Sequence, residues 1–189
     1  MRIAVFYATR EGQTARIAEH IAHELQTSNV QVGVFDVKDM GRPVDWASYH
    51  AACVAASVHL GRHEPEMIKF VKQNRPELER LSAMFLSVSL SEAGAEDPAA
   101  PPERRQKAAA DVAGLIETFV KETGWRSHHV LPVAGALTYS RYNFIIRFVM
   151  KRIARANGAP TDASRDYELT DWTTLDRFVR DRLLLTVAS

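Results

Sequence analysis

The sequence predicts an α/β fold, a doubly wound parallel sheet of five strands with helices on both faces. Three observations carry that reading. Short apolar, partly β-branched runs alternate with amphipathic helical stretches along the chain. The first run ends in a polar loop that opens directly into a helix. The 189 residues, 46% of them hydrophobic, are enough to bury a sizeable core within one domain.

Arg2 to Tyr7 (RIAVFY) is short, partly β-branched and aromatic, and reads as a buried strand. From Thr14 to about Gln26 the pattern becomes helical: Ile17, Ile21 and Leu25 recur on one side, with Ala18 and Ala22 beside them. Val30 to Val37 reads as the second strand and Ala51 to Val58 as the third. Pro65 opens a helix to Asn74 that turns Met67, Phe70 and Val71 inward. Ala83 to Leu90 is the fourth strand, and the Pro-, Ala- and Glu-rich stretch from Ser91 to Arg105 reads as a loop. Gln106 to Thr123 carries one apolar stripe, Val112, Leu115, Ile116, Phe119 and Val120, and Gly124 stops it. Val130 to Leu137 is the fifth strand. Asp171 to Leu185 is the last helix, capped by Asp171 or Thr170. The alternation breaks once: Thr138 to Pro160 stands as an insertion before the short run Tyr167-Glu168-Leu169. The whole reads as one domain, 1–189, with an insertion at about 138–160.

Composition narrows the function classes. A formal charge of +1 argues against a bulk nucleic-acid binder, and no nucleic-acid partner is expected. The one cysteine, Cys53, sits in the apolar run 51–56 and reads as a small core residue, with a redox role as the alternative. One cysteine makes no internal disulfide, which fits a reducing compartment. No signal peptide follows Met1-Arg2, and no apolar stretch approaches the roughly 20 residues that span a bilayer. The expectation is a cytoplasmic protein, at most attached to a membrane surface. The sequence leaves the oligomeric state open, a homo-oligomer included.

The loop Thr9-Arg10-Glu11-Gly12-Gln13-Thr14 is where chemistry is expected. A strand that ends in a polar loop and opens a helix is an anion site, because the free N–H groups of the first turn and the helix dipole point at the ligand. Thr9 and Thr14 offer hydroxyls, Gly12 allows close backbone approach, Arg10 is placed to balance phosphate charge, and Glu11 is expected to point outward. The loop is neither a Walker A motif nor GxGxxG. The plainer reading is a strand–turn–helix connection capped by threonine.

That loop resembles the phosphate loop of flavodoxins, Thr/Ser-x-Thr-Gly-x-Thr, in the spacing of Thr9, Gly12 and Thr14; Glu11 stands where the family has Thr, removing one hydroxyl contact. Nearly the full length resembles one branch of that superfamily, the quinone-dependent protoporphyrinogen oxidases of bacterial haem synthesis. The stretches that carry this are 9–14, Ala56-Ser57-Val58-His59-Leu60-Gly61, Val133-Ala134-Gly135-Ala136-Leu137-Thr138-Tyr139-Ser140-Arg141-Tyr142, and Tyr167-Glu168-Leu169-Thr170-Asp171-Trp172. The resemblance implies a flavodoxin-like fold, a bound FMN, and oxidation of protoporphyrinogen IX to protoporphyrin IX. A membrane quinone, typically menaquinone, is the implied electron acceptor.

In such sheets ligands sit beyond the carboxyl ends of the strands. The flavin ring is therefore expected against Ser57, Val58, His59 and Gly61 after the third strand, and Ser87, Val88, Ser89 and Leu90 after the fourth. Neither loop holds the Trp or Tyr that often sandwiches a flavin, which implies an open flavin face suited to a large planar substrate. His59 and His63 are weak candidates for proton transfer, read alternatively as two exposed loop histidines. They lack a third ligand at suitable spacing, so no metal is expected. Arg62 is a candidate partner for a substrate propionate. Trp46, Tyr49, Trp125, Tyr167 and Trp172 read as packing residues.

Between Thr138 and Asn157 the charged residues are Arg141, Arg147, Lys151, Arg152 and Arg155, none of them acidic. On a helical wheel Tyr142, Ile145, Ile146, Val149, Met150 and Ile153 share one side. The cations gather on the other, with Phe144 and Phe148 among them. A basic amphipathic helix of this kind lies on an anionic membrane surface, at roughly 1 kcal/mol per cation; the alternative is a helix packed on the domain. Arg141, Phe144, Arg147, Phe148, Lys151 and Arg155 are the expected substrate or membrane contacts. Three other functions compete with the oxidase: a flavodoxin-type electron carrier, an NAD(P)H:quinone oxidoreductase, and a binding module that has lost FMN. Carriers are commonly acidic, unlike this chain.

Overall fold

Alternate residues of each strand bury on opposite faces, and this splits the core into two layers. The computed structural model describes residues 1–41, 43–141, 151, 154, 155, 159 and 161–184. Its central sheet pairs β2 (Gln31–Asp36), β1 (Arg2–Ala8), β3 (Ala51–His59), β5 (Ser82–Ser89) and β6 (His129–Ala134) in that order, all parallel. This is the doubly wound order the sequence predicts.

On one face Ile3, Val5, Cys53, Ala55, Met84 and Leu86 meet Ile17, Ile21 and Leu25 of α1 (Gln13–Thr27), with Leu175 and Val179 of a helix near the chain end. On the other, Ala4, Phe6, Val54 and Phe85 meet Met67, Phe70 and Val71 of α2 (Pro65–Gln73). Phe119 and Trp125 pack there too, Phe85 stacking on Phe119 at 4.3 Å. Cys53 is a core residue as expected, and burial pushes its thiol pKa up to about 12, which removes it from thiolate chemistry.

Several boundaries differ from the sequence reading. After β3 the chain makes a tight hairpin into β4 (Arg62–His63), and after α2 a further short helix, α3 (Arg75–Arg80), precedes β5. The stretch 91–105, read as a loop, holds α4 (Leu90–Glu96) and the first turn of α5 (Pro102–Thr123). The signals were local: Ser89 accepts a hydrogen bond from the Glu92 N–H at 3.3 Å, the Ser-x-x-Glu start pattern, and Pro102 takes the first helical position. The fifth strand, read as continuous to Leu137, stops at Ala134. Gly135 N–H turns to the Ser89 carbonyl at 3.1 Å, and β7 (Ala136–Leu137) pairs antiparallel with β8 (Tyr167–Glu168) in a separate sheet. The last helix, α6 (Trp172–Val179), is capped by Asp171, whose carboxylate accepts from the Thr174 N–H at 3.0 Å; a π-helical turn continues it to Leu184. His20 of α1 donates to Asp176 of α6 at 2.6 Å and lies 4.6 Å from the Trp172 ring, so the two helices are clamped together.

Candidate functional site

The carboxyl ends of β1, β3 and β5 lie side by side in the sheet, as the strand order requires. At the end of β1 the chain runs through Thr9 to Gly12, whose φ of 97° is a left-handed conformation that favours glycine. Thr9 Oγ1 accepts from the Gly12 N–H at 3.0 Å and closes the turn. The helix that follows has no side-chain cap, unlike α4 and α6, so its first N–H groups have no intrahelical acceptor. Thr14 is wholly buried in this first turn, and its hydroxyl has no hydrogen-bond partner among the described residues. An orphan hydroxyl under an uncapped helix start is the donor set an anion completes. A phosphate ester fits it.

The charges around the loop are arranged differently from the sequence reading. Arg10, expected to balance phosphate, instead grips the buried Glu64, with Nη2 to Oε2 at 3.1 Å. Lys38 Nζ lies 3.3 Å from the same Oε2 and also donates to the Thr9 carbonyl. Burial pushes the Glu64 carboxyl pKa up, but the Arg10 hydrogen bond and the Lys38 charge outweigh it and hold the group below its ordinary range. Arg10, Lys38 and Glu64 together leave one positive charge beside the anion site. Gln13 is buried, its amide tied to Glu168 and Thr170. Glu11 is half-buried rather than turned fully outward.

Ser57 at the end of β3 is half-buried, its hydroxyl 3.4 Å from the Ala8 carbonyl. Val58 and His59 pair with His63 and Arg62 across the β3–β4 hairpin. The hairpin apex is Leu60 and Gly61, at φ 49° and 77°; positive φ at both central residues is what a tight type I′ turn needs. Leu60 is 78% exposed there. His59 is half-exposed, but His63 is not the exposed loop histidine of the sequence reading. It is 2% exposed, shares a 2.9 Å hydrogen bond with Ser87, and is wedged between Phe85 and Phe119 at 5.4 and 5.0 Å. Burial pulls its pKa down to about 4, against a weaker upward pull from Glu122, so it is neutral at pH 7 and serves as a buried hydrogen-bonding residue. Arg62 is held by Glu122 of α5, Nη2 to Oε2 at 2.6 Å, rather than standing free for a propionate.

Along the end of β5 the side chains of Ser87 and Val88 are buried, Ser87 on His63 and Val88 in the core; Ser89 caps α4. Of these four residues only Leu90 is partly exposed, against Leu137 and Tyr139 beside the β7–β8 pair. The expected ring contacts at Ser87 and Val88 are thereby restricted to backbone. Next in the chain, Glu92 is half-buried with its carboxyl raised to about 7, by burial first and by the charge of Glu96 second.

Phe144, Arg147 and Phe148 lie outside the described residues, as does the side chain of Arg141. Lys151 is half-buried, and Arg155 is exposed, its carbonyl accepting from Arg104 Nη2 at 2.8 Å. No helix among the described residues is long and apolar enough to cross a membrane. The residues that sequence reasoning missed are Lys38, Leu60, Glu64, Glu168 and Thr170. Only Leu60-Gly61 carried a local signal, a glycine in a short link between strands.

The family model described as "Flavodoxin domain" matches residues 4–164. The chain is 31% identical over 186 residues to the protoporphyrinogen IX dehydrogenase [quinone] of Escherichia coli K12, covering 98% of this chain and 97% of that protein. It is 30% identical over 185 residues to the Leishmania major protein of the same description, covering 97% of this chain and 75% of that one. Among solved structures it resembles a flavodoxin from the domain Archaea (TM-score 0.53, 17% identity, all of both chains). It also resembles a short-chain flavodoxin associated with a bacterial microcompartment (TM-score 0.54, 15% identity, 98% of both). At such identities these two likenesses speak for the fold.

Proposed function

Because the chain belongs to the flavodoxin-domain family, and within it to the quinone-linked protoporphyrinogen IX dehydrogenases, we propose that it oxidises protoporphyrinogen IX to protoporphyrin IX, using FMN at the 9–14 loop and passing electrons to a membrane quinone. The observation that carries the cofactor reading is the buried Thr14 hydroxyl, without a partner among the described residues, at the start of α1. Thr14 and the first-turn N–H groups would hold the phosphate, with Arg10 and Lys38 supplying positive charge nearby. Bound FMN supplies two-electron redox chemistry, while protein groups position and tune it.

The chain's own residues would do the rest. The β3–β4 hairpin and the Ser89-Leu90 turn form the two walls of the ring site. Neither carries a Trp, Tyr or Phe, which leaves room for a macrocycle above the ring. Three successive two-electron oxidations of the macrocycle release protons as well as electrons, and each reduces one quinone to a quinol. We read the cationic 138–157 segment as the part that meets an anionic membrane, where the quinone resides, and the protein as cytoplasmic and peripherally attached. The whole chain, 1–189, is read as one domain.

The test is porphyrin fluorescence over time, with purified protein, FMN, protoporphyrinogen IX and a soluble quinone, oxygen excluded. A rise that needs both protein and quinone supports the oxidase. No rise despite bound FMN would shift the reading to an electron carrier or an NADPH-driven reductase. For the membrane, replacing Arg147, Lys151 and Arg155 with Glu is expected to abolish co-sedimentation with anionic vesicles; unchanged co-sedimentation would overturn that part.

A further inference from the structure

Gln13 is the first residue of α1, and its side chain is fully engaged. One amide hydrogen goes to Glu168 Oε1 and the other to Thr170 Oγ1 at 2.9 Å, while its carbonyl accepts from Arg16 Nη1 at 3.2 Å. Arg16 Nη1 also lies 2.8 Å from Glu168 Oε2. Thr170 passes the chain on, donating to the Ala134 carbonyl at the end of β6 at 2.7 Å. The start of the phosphate-loop helix is thus tied to residues 155 and 157 positions away.

The tie matters because of what precedes Gln13. Gly12 has no side chain and sits at a left-handed φ, so it offers nothing beyond its backbone to hold the first turn. No side chain caps the helix. Besides the Thr9 contact that closes the turn, the Gln13 anchor is what orients the first-turn N–H groups from the helix side, and Glu168 of β8 is one of its two acceptors. Among the described residues β8 pairs with β7 alone, and residues 138–166 lie between the two strands.

We propose that Glu168 is a positioning residue for the flavin phosphate: acting through Gln13, it holds the phosphate-binding turn and couples its occupancy to the β7–β8 pair. The proposal rests on the FMN reading above. It does not give Glu168 contact with the cofactor. Coupling of this kind is reciprocal: if β8 stiffens the phosphate turn, phosphate binding must stiffen β8 by the same factor.

The experiment titrates the apo-protein with FMN and with riboflavin, which shares the ring and lacks the phosphate. It compares wild type, Glu168→Ala and Glu168→Gln. Glu168→Ala is expected to weaken FMN about tenfold while moving riboflavin by less than about twofold, within the usual range of site–site coupling. Glu168→Gln, which keeps an acceptor for the Gln13 amide, is expected to recover most of the loss. Hydrogen exchange gives the reciprocal readout: FMN should slow exchange of the β7 and β8 amides in wild type, and riboflavin should not.

Equal losses for both flavins would show a merely structural role and overturn the proposal; so would unchanged FMN affinity. If Glu168→Ala does not fold, Arg16→Met is read by the same two titrations, and only a loss confined to FMN supports the proposal. A wild-type chain that binds neither flavin overturns the FMN reading and this proposal with it. A wild type that binds FMN beside variants that bind it equally well overturns the proposal alone.

Discussion

Arg10 holds Glu64 through one edge of its guanidinium with two hydrogen bonds, Nε to Oε1 at 3.2 Å and Nη2 to Oε2 at 3.1 Å, across 54 positions of sequence. The carboxylate is fully buried, while Arg10 is half exposed, so the pair is neither an ordinary surface bridge nor a sealed one. It fastens the phosphate loop to the start of α2, and Lys38 adds a third point of attachment from the end of β2.

Glu64→Gln should cost about 1–2 kcal/mol of stability at neutral pH, the range for charge-assisted hydrogen bonds discounted for the exposed arginine. Because the folded-state pKa of Glu64 lies below its ordinary value of 4.5, the contribution is complete above that value and is lost as pH falls further. Urea unfolding at neutral and acid pH checks both statements: the gap between wild type and variant should narrow on acidification.

His63 provides a second test. Its pKa of about 4, against an ordinary 6.5, means that below 6.5 the unfolded chain takes up a proton that the folded chain does not. Stability should therefore fall as pH drops from 6.5 towards 4, and His63→Gln should flatten that limb. An NMR titration placing the His63 ring near 6.5 would show the burial argument to be wrong.

Leu60 is a branched aliphatic residue at φ 49° on an exposed hairpin apex. The left-handed region costs an ordinary residue about 1–2 kcal/mol, and Asn adopts it more readily. Leu60→Asn should raise Tm by about 2–4 °C. If Leu60 meets the substrate rather than the flavin, the same variant should raise KM for the porphyrinogen while leaving FMN affinity little changed. A variant with unchanged Tm would mean that the turn is not strained.

Glu92 gives the opposite pH trend. With its carboxyl at about 7 against an ordinary 4.5, the folded state keeps a proton that the unfolded state has lost. Stability from this group should fall as pH rises from 4.5 through 7. Glu92→Gln is expected to raise Tm at pH 8 and to change it little at pH 4.5. Calorimetry at the two pH values decides it, and equal shifts at both would refute the assignment.

The main strands and helices were legible because apolar runs alternate with helical spacing along the chain, and that alternation points to the doubly wound sheet. The unbroken apolar run Ile3-Ala4-Val5-Phe6 declares a buried strand, and Ile17, Ile21 and Leu25 declare one helix face by their spacing. The position of the 9–14 loop was legible too, since a strand, a polar turn with Gly12 and a helix start are all local. Ser89-Leu90-Ser91-Glu92 was equally local and still went unread, masked by the Pro- and Ala-rich stretch after it. Partnership between polar side chains has no period. Nothing near Arg10 names Glu64, nothing near Gln13 names Glu168, and nothing near Ser87 names His63, which β4 brings to it. The sequence by itself determined the main elements, their order along the chain and the place of the 9–14 loop, because these follow from backbone preference and from which residues avoid water. Only the tertiary structure decided which charges neutralise one another, which histidine is buried, and what holds the phosphate turn in place, because those depend on distances between strand ends that are remote in the chain.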